Sequence, residues 1–242
     1  MSTQTYLRWA DRSDIPAMAE ILVLTGVNFE FHDQFAPKRS EHLNEYYLFL
    51  LCRIRTLWAM PGFRFLVVES LEVPDATKVT RKQVIGMAGW MLDQADGLVD
   101  EPTRGSGWFQ SLERTLVATE RYYHQLCINT IFDTTGFASL LNRLHEAELV
   151  GQPQIHLQIL FVHPEWQKSS HRVGHRLLQW GIDLSDRLQL PIAVTSSLAG
   201  QKFYAKHGFE FLTFVRVDRI PELAYDQPIL LKRPEPRPNV QP

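Results

Sequence analysis

Cysteine is nearly absent. Cys52 and Cys127 are the only two in 242 residues, far apart and without metal-site spacing. That argues against a disulfide-stapled scaffold and a thiolate metal site, and both are read as reduced core residues of helices. Long apolar runs are missing as well. The longest, such as 159–162 and 65–68, fall far short of the roughly 20 residues that cross a bilayer, so no membrane partner is expected. The opening MSTQTYLRWADRSD lacks the apolar stretch of a secretory signal, which points to a cytoplasmic protein. Neither sign of charge dominates. Lys and Arg number 25 against 27 Asp and Glu, a net charge of -2, so no field that would gather nucleic acid is expected. Internal repeats are missing too. What remains is a small-molecule partner and a monomer or homodimer.

What is present is ordinary globular material, 45% hydrophobic and 21% charged, enough for one large domain. A short strand over 6–10 leads to Ser13, an N-cap, and a helix carrying Ile15, Met18, Ala19 and Leu22 up to Gly26. Val27–Pro37 reads as an aromatic-rich connection. Leu43, Tyr46, Leu50, Ile54 and Leu57 then form a helical stripe stopped by Pro61-Gly62. FRFLVVES (63–70) and VIGMAGWML (84–92) read as strands of an antiparallel pair. Residues 93–153 break this rhythm and read as a helical insertion, with Phe109, Leu112 and Leu116 on one helix and Phe137, Leu140 and Leu144 on another. IHLQILFVHP (155–164), a helix with Val173, Leu177, Leu178 and Leu184, and PIAVTSS (191–197) form a βαβ unit, whose strands run parallel. A short helix ending at Gly208 and strands at 209–217 and 228–232 close the domain. The final ten residues, RPEPRPNVQP, hold four prolines and read as a disordered tail.

This order of elements resembles the GNAT superfamily of N-acetyltransferases, in the style of fungal members with a long insertion before the fourth strand. The resemblance is sharpest over 157–210, in LQILFVHPEWQ, LLQWGIDLSDRLQLPIAV and SLAGQKFYAKHGFEF. The last segment places Gly200 four residues before Tyr204, followed by His207-Gly208-Phe209. The resemblance implies an α/β (α+β) fold with a mixed central sheet. Its fourth and fifth strands would be the parallel pair, with helices on both faces. One domain would span 1–232, including the insertion at 93–153, with the tail at 233–242.

In that family the turn after the fourth strand reads Q/R-x-x-G-x-G/A. Its glycines let backbone amides at a helix N-terminus approach the pyrophosphate of acetyl-CoA. Here the corresponding stretch is VHPEWQKSSHRVGHRLL. Read backwards from Leu177-Leu178, Gly174 takes the last glycine, Val173 the residue before it, Arg172 the first glycine and Ser169 the Q/R position. Read forwards from Pro164, Gln167 is the glutamine, but the loop is two residues longer. The resemblance thus implies acetyl-CoA contacts from Gln167 to His175, including Lys168, Ser169, Ser170 and His171, and from Gly200. Phe161 and Val162 would contribute backbone.

For the chemistry, the resemblance makes Tyr204 the donor to the leaving thiolate; packing beside Phe203 is the alternative. His156 is the candidate base that takes the amine proton, since histidine titrates near neutrality. Gln158 would share its face by strand alternation. A backbone N–H near Phe161 or Val162 would meet the oxyanion. His163 reads as structural. His171 and His175 are four apart, but no third ligand is evident, so no metal is expected. Phe29, Phe31, His32, Phe35 and Trp90 would line a small, partly aromatic acceptor pocket. Two functions fit these residues. One is acetyl-CoA-dependent N-acetyl transfer to a small amine. The other keeps the fold but not the cofactor, and uses the pocket for metabolite binding, cyclisation or isomerisation. On the second, Arg172 would fill the anion site.

Overall fold

The computed structural model describes residues 3–26, 29–72, 81–93, 107–148 and 152–236. Seven strands form one sheet in the order β1-β2-β3-β4-β5-β7-β6. They are β1 (Thr3–Trp9), β2 (Phe63–Glu72), β3 (Arg81–Asp93), β4 (Gln154–Val162), β5 (Ile192–Thr195), β6 (Glu210–Val217) and β7 (Tyr225–Lys232). Among the described residues only β4 and β5 pair in parallel; every other neighbour is antiparallel. The seven helices are α1 (Ile15–Gly26), α2 (Glu30–Phe35), α3 (Leu43–Ala59), α4 (Trp108–Cys127), α5 (Thr134–Ala147), α6 (Val173–Leu188) and α7 (Gln201–Ala205), among the described residues. The mixed sheet with its one parallel pair is the fold that the sequence predicts. Helix α2 is an addition, within a stretch read as connection.

Strand alternation sorts the core onto two faces. On one, Leu66, Val68, Ile85, Ala88, Trp90, Ile155 and Leu157 meet α6 through Val173, Leu177, Leu178 and Ile182. Each fully buried leucine of this set removes enough apolar surface to contribute about 1.5–3 kcal/mol. Two glycines set how close α6 comes. A Cβ at Gly86 would lie 2.6 Å from Val173 Cγ1, and one at Gly181 would lie 2.0 Å from the Trp90 ring. On the other face, Phe63, Phe65, Val67, Met87 and Ile159 pack under α1 and α3. Further along that face α2 and α5 cover β6 and β7, through Phe31, Phe35, Phe137, Leu140, Val215 and Ile229.

Polar groups tie these layers together. Arg8 on β1 reaches Asp14 Oδ2 at 2.7 Å and Glu69 Oε2 at 2.7 Å, joining the start of α1 to the sheet. Buried Arg39 donates from Nε to Gly26 O at 3.1 Å and from Nη1 to Ala36 O at 3.1 Å, clamping the ends of α1 and α2. Gln34 accepts from the Ile220 amide at 2.7 Å and donates to Leu223 O, pinning α2 to the β6–β7 connection.

Of the expected insertion, α4 and α5 are described, and α4 packs on α3. Residues 94–106 and 149–151 of the insertion and 237–242 of the tail lie outside the described residues. Within the tail, the Glu235 amide donates to Asp186 Oδ1 at 2.7 Å, and its carbonyl accepts from Gln189 Nε2 at 2.9 Å. The cysteines divide: Cys52 is buried, but Cys127 is exposed at the end of α4 and is not the core residue expected from its helical setting.

Candidate active site

β4 changes character halfway along. Ile155–Leu157 pair with Ile192–Val194, but β5 ends at Thr195 while β4 continues to Val162. At the same point β4 bulges against β3. Leu157 faces Trp90 and Ile159 faces Gly89, so Gln158 is an extra residue with no partner across the ladder. Past Leu157, β4 has a strand only on its β3 side among the described residues, and a gap opens between β4 and β5. Gln158 at the bulge is exposed, and beyond it Ile159 and Phe161 pack on the side of α1 and α3.

Tyr204 lies on α7, the short helix that follows β5. It is 7% exposed, packed edge-on to Phe203 and Phe209 within the α6-side core. Its hydroxyl makes no hydrogen bond among the described residues. Burial raises its pKa, so the phenol stays protonated and remains a donor. Gly200 caps α7 and keeps the ring close. A Cβ there would lie 3.0 Å from Ser196 Oγ and 3.4 Å from Tyr204 Cε2.

The turn into α6 answers the question raised by its missing glycines. Arg172 is the helix N-cap and sits at φ 49°, ψ 43°, in the left-handed region where glycine is favoured. Lys168 does the same at φ 60°. The backbone thus takes a glycine conformation with arginine in it. The Arg172 amide donates to Ser169 O at 3.2 Å, closing the turn. The first-turn amides of Val173, Gly174 and His175 have no partner in the helix and none elsewhere among the described residues. Ser169 Oγ is buried there and unpaired. Gly174 has room: a Cβ would meet Val162 Cγ2 at 3.5 Å, an ordinary contact.

The basic residues of this stretch divide by what they touch. Lys168 and Arg172 are exposed, as is Ser170. Arg176 donates to Thr5 Oγ1 at 2.7 Å and is committed to β1. His175 Nδ1 lies 2.8 Å from His207 Nε2, and His207 Nδ1 lies 2.8 Å from Phe203 O. Burial, then the charges of Arg172 and His207, lower the pKa of His175. His171 packs its ring 5.2 Å from Trp166. Gln167 donates to Val162 O at 3.0 Å, and His163 Nδ1 accepts from the Glu165 amide at 3.4 Å.

His156 is 3% exposed, two residues before the bulge. Its Nδ1 lies 2.8 Å from Oε2 of Glu148, whose other oxygen lies 3.5 Å from Thr195 Oγ1. Sequence reasoning missed Glu148. It follows α5 and belongs to no motif, so only the fold brings it beside the fourth strand.

The expected acceptor pocket is largely corrected. Trp90 is fully buried on the opposite face of the sheet, its ring against Gly181 and 5.7 Å from Trp180, because strand alternation turns it toward α6. Phe31 and Phe35 are turned inward by α2 and form core with Phe137. His32 is buried as well, its Nδ1 hydrogen-bonded with the Tyr46 hydroxyl; burial, then the charges of Arg39 and Arg53, lower its pKa to about 3. Phe29 alone of the five is only partly buried; it packs against the Phe31–Phe35 cluster and lies edge-on to Phe161 at 6.0 Å. A hollow of about 490 Å³ lies between α2, the α4–α5 connection and the β6–β7 connection, bordered by Phe35, Asp133 and Arg219. It lies at the N-terminal end of α5, whereas Glu148 follows its C-terminal end, a helix length of about 21 Å away.

Comparison with known proteins agrees with this architecture. The model of the acetyltransferase (GNAT) domain family matches residues 135–219, from α5 through β6. A probable acyltransferase of Ajellomyces capsulatus, SID5, is 44% identical over 41 residues, which are 17% of this chain and 30% of that protein's length. A solved structure from Corynebacterium glutamicum, described as histone acetyltransferase HPA2 and related acetyltransferase, covers 99% of this chain and all of its own. Its TM-score is 0.57 at 15% identity. A Pyrococcus horikoshii protein aligns over 96% of this chain and 100% of its own, with a TM-score of 0.50 and 13% identity. The chain thus carries a match to the acetyltransferase (GNAT) domain over 135–219, and it shares its fold with these solved structures along nearly its whole length.

Proposed function

We propose that this protein is an acetyl-CoA-dependent N-acetyltransferase acting on a small amine. The observation that carries the reading is Arg172. It adopts a glycine conformation at the head of α6, with three open amides and the buried, unpaired Ser169 hydroxyl beside it. That is a nest for an anion, reinforced by the positive end of a 16-residue helix. The alternative, a fold that has lost its cofactor, expects the Arg172 side chain to fill the nest; instead that residue is exposed.

When bound, acetyl-CoA supplies an activated thioester. The chain's own residues do the rest. Val173, Gly174 and His175 hold the pyrophosphate by their amides, with Ser169 and the exposed Lys168 and Arg172 adding donors and charge. The β4 edge past the bulge, near Phe161 and Val162, offers backbone N–H to the acetyl oxygen as charge develops on it. His156, oriented by Glu148, takes the proton that the amine nitrogen loses on attack. Tyr204, kept protonated by burial, gives a proton to the departing sulfur. Phe29 beside Phe161 borders the acceptor and favours a small, apolar or aromatic amine.

Calorimetric titration of the purified protein with acetyl-CoA tests this directly. Micromolar binding is expected, weakened at least tenfold by Gly174→Asp, which sets a carboxylate at the nest. Absence of heat at millimolar acetyl-CoA would falsify the proposal. With binding in hand, an amine screen should give turnover that Tyr204→Phe and His156→Gln each reduce by about a hundredfold or more.

A further inference from the structure

Helix α4 docks by its polar side. The residues it turns toward the body are Gln110, Glu113, Arg114, Val117, Glu120 and His124, with Val117 the one aliphatic side chain among them. Glu113 pairs with Arg12, and Glu120 with Arg55. The apolar side points outward: Trp108, Phe109, Leu112, Leu116, Tyr122, Tyr123 and Leu126 are 46–79% exposed. A monomer rarely leaves so continuous a face in water.

Three features of that face say what covers it. The first is spacing. Phe109, Leu112, Leu116, Thr119, Tyr123 and Leu126 recur at alternating steps of three and four, the seam of a helix that packs along another helix. The second is charge. Ser111, Thr115, Ala118 and Gln125 share the exposed side and are uncharged; Arg121 is the one exposed charged residue of α4, and it lies off the seam. Such a seam meets its own copy with little like-charge repulsion. The third is area. At their exposures the seven large side chains present on the order of 800 Å² per copy, what one partner contributes to a specific interface.

Two other occupants fit less well. The longest stretch outside the described residues, 94–106, has only Leu98 and Val99 as large apolar residues, too few to cover seven. A lipid surface would favour a basic rim, but the charged residues of α4 are two Glu and two Arg.

We propose that α4 is the interface between two copies of this chain, packed α4 against α4 in antiparallel fashion about a twofold axis. The antiparallel arrangement sets the Trp108–Phe109 end of one helix against the Tyr122–Tyr123 end of the other. A twofold contact of this kind uses one patch twice and closes on itself.

Sedimentation equilibrium of the full chain tests the idea. A dimer is expected at micromolar concentration. Leu116→Glu puts two carboxylates into the centre of the seam, and should raise the dimer dissociation constant about a hundredfold or more. Phe109→Glu should do the same from the end of the seam. Both sites are exposed, so the circular dichroism of each variant should match the parent. A monomeric parent at 100 µM (roughly the upper end of ordinary working concentrations) overturns the proposal. So does a dimer that neither variant weakens, which would be held elsewhere, for instance at exposed Phe211 and Phe214 on edge strand β6. A parent that stays monomeric but sediments with phosphatidylcholine or phosphatidylserine vesicles overturns it in favour of lipid.

Discussion

α4 and α6 are both long amphipathic helices, and they use their apolar stripes in opposite ways. α6 lays Val173, Leu177, Leu178 and Ile182 on the sheet and turns its polar residues to water. α4 sets glutamates against arginines of the body and turns tryptophan, phenylalanine and leucine to water. Periodicity identifies a stripe in each. It does not say which way the stripe faces, because that depends on what surface the neighbouring elements offer. Beneath α6 lies an apolar sheet face; beneath α4 lies the outer side of α3, with Arg55 on it.

The largest predicted effect is therefore a truncation in α6. Leu177→Ala empties a fully buried position and should lower stability by about 2–5 kcal/mol, read as a fall in the urea midpoint. A loss below about 1 kcal/mol would mean that α6 is not anchored as its contacts indicate.

The same distinction separates what was legible in the sequence from what was not. All seven strands and every helix but α2 are legible in the sequence, most plainly α3 and α6 with their 3.6-residue stripes, and their order points to the family. The direction of Trp90 was missed, since it depends on which face of β3 meets α6. The bulge at Gln158 was missed because it is a mismatch between two strands, and neither strand carries it alone. α2 was missed because six residues rich in aromatics show too little period to read. Glu148, brought to His156 only by the path of α5, leaves no local trace.

A second test probes the buried connection through pH. His32 is buried and neutral, its pKa lowered to about 3, and it faces Tyr46, Arg39 and Arg53. The unfolded chain binds a proton near pH 6.5 that the folded state refuses. Stability is therefore full above about 6.5 and falls as pH drops below it, by up to about 1.4 kcal/mol per pH unit. His32→Asn should flatten the profile between pH 5 and 6.5 in urea titrations. Equal slopes for the parent and His32→Asn would remove the claim that α2 is sealed.

A smaller effect is expected where α6 begins. Arg172 holds a left-handed conformation that costs a non-glycine residue about 1 kcal/mol. Arg172→Gly should therefore raise stability by up to that amount in thermal unfolding. It should leave acetyl-CoA affinity within a few-fold, since the amides are unchanged and only one exposed charge is lost. Arg172→Val should lose stability instead, because a β-branched side chain tolerates that region poorly. If Gly and Val behave alike, the turn is not held in this conformation, and the case for an anion nest weakens with it.

The smallest effect, and the sharpest contrast with Leu177, is Leu116→Ala. In a monomer, an exposed leucine 61% open to solvent should change stability by no more than about 0.5 kcal/mol. If two copies pack through α4, that holds only in dilute solution. Dimerisation stabilises the folded chain by mass action, so unfolding midpoints of the parent should rise with protein concentration. Leu116→Ala should leave the dilute midpoint in place and reduce the rise. Leu177→Ala should lower the midpoint at every concentration and leave the rise alone. A concentration-independent parent would place the α4 face in water as a surface of the monomer, and the opposition between the two helices would then need a different partner to explain it.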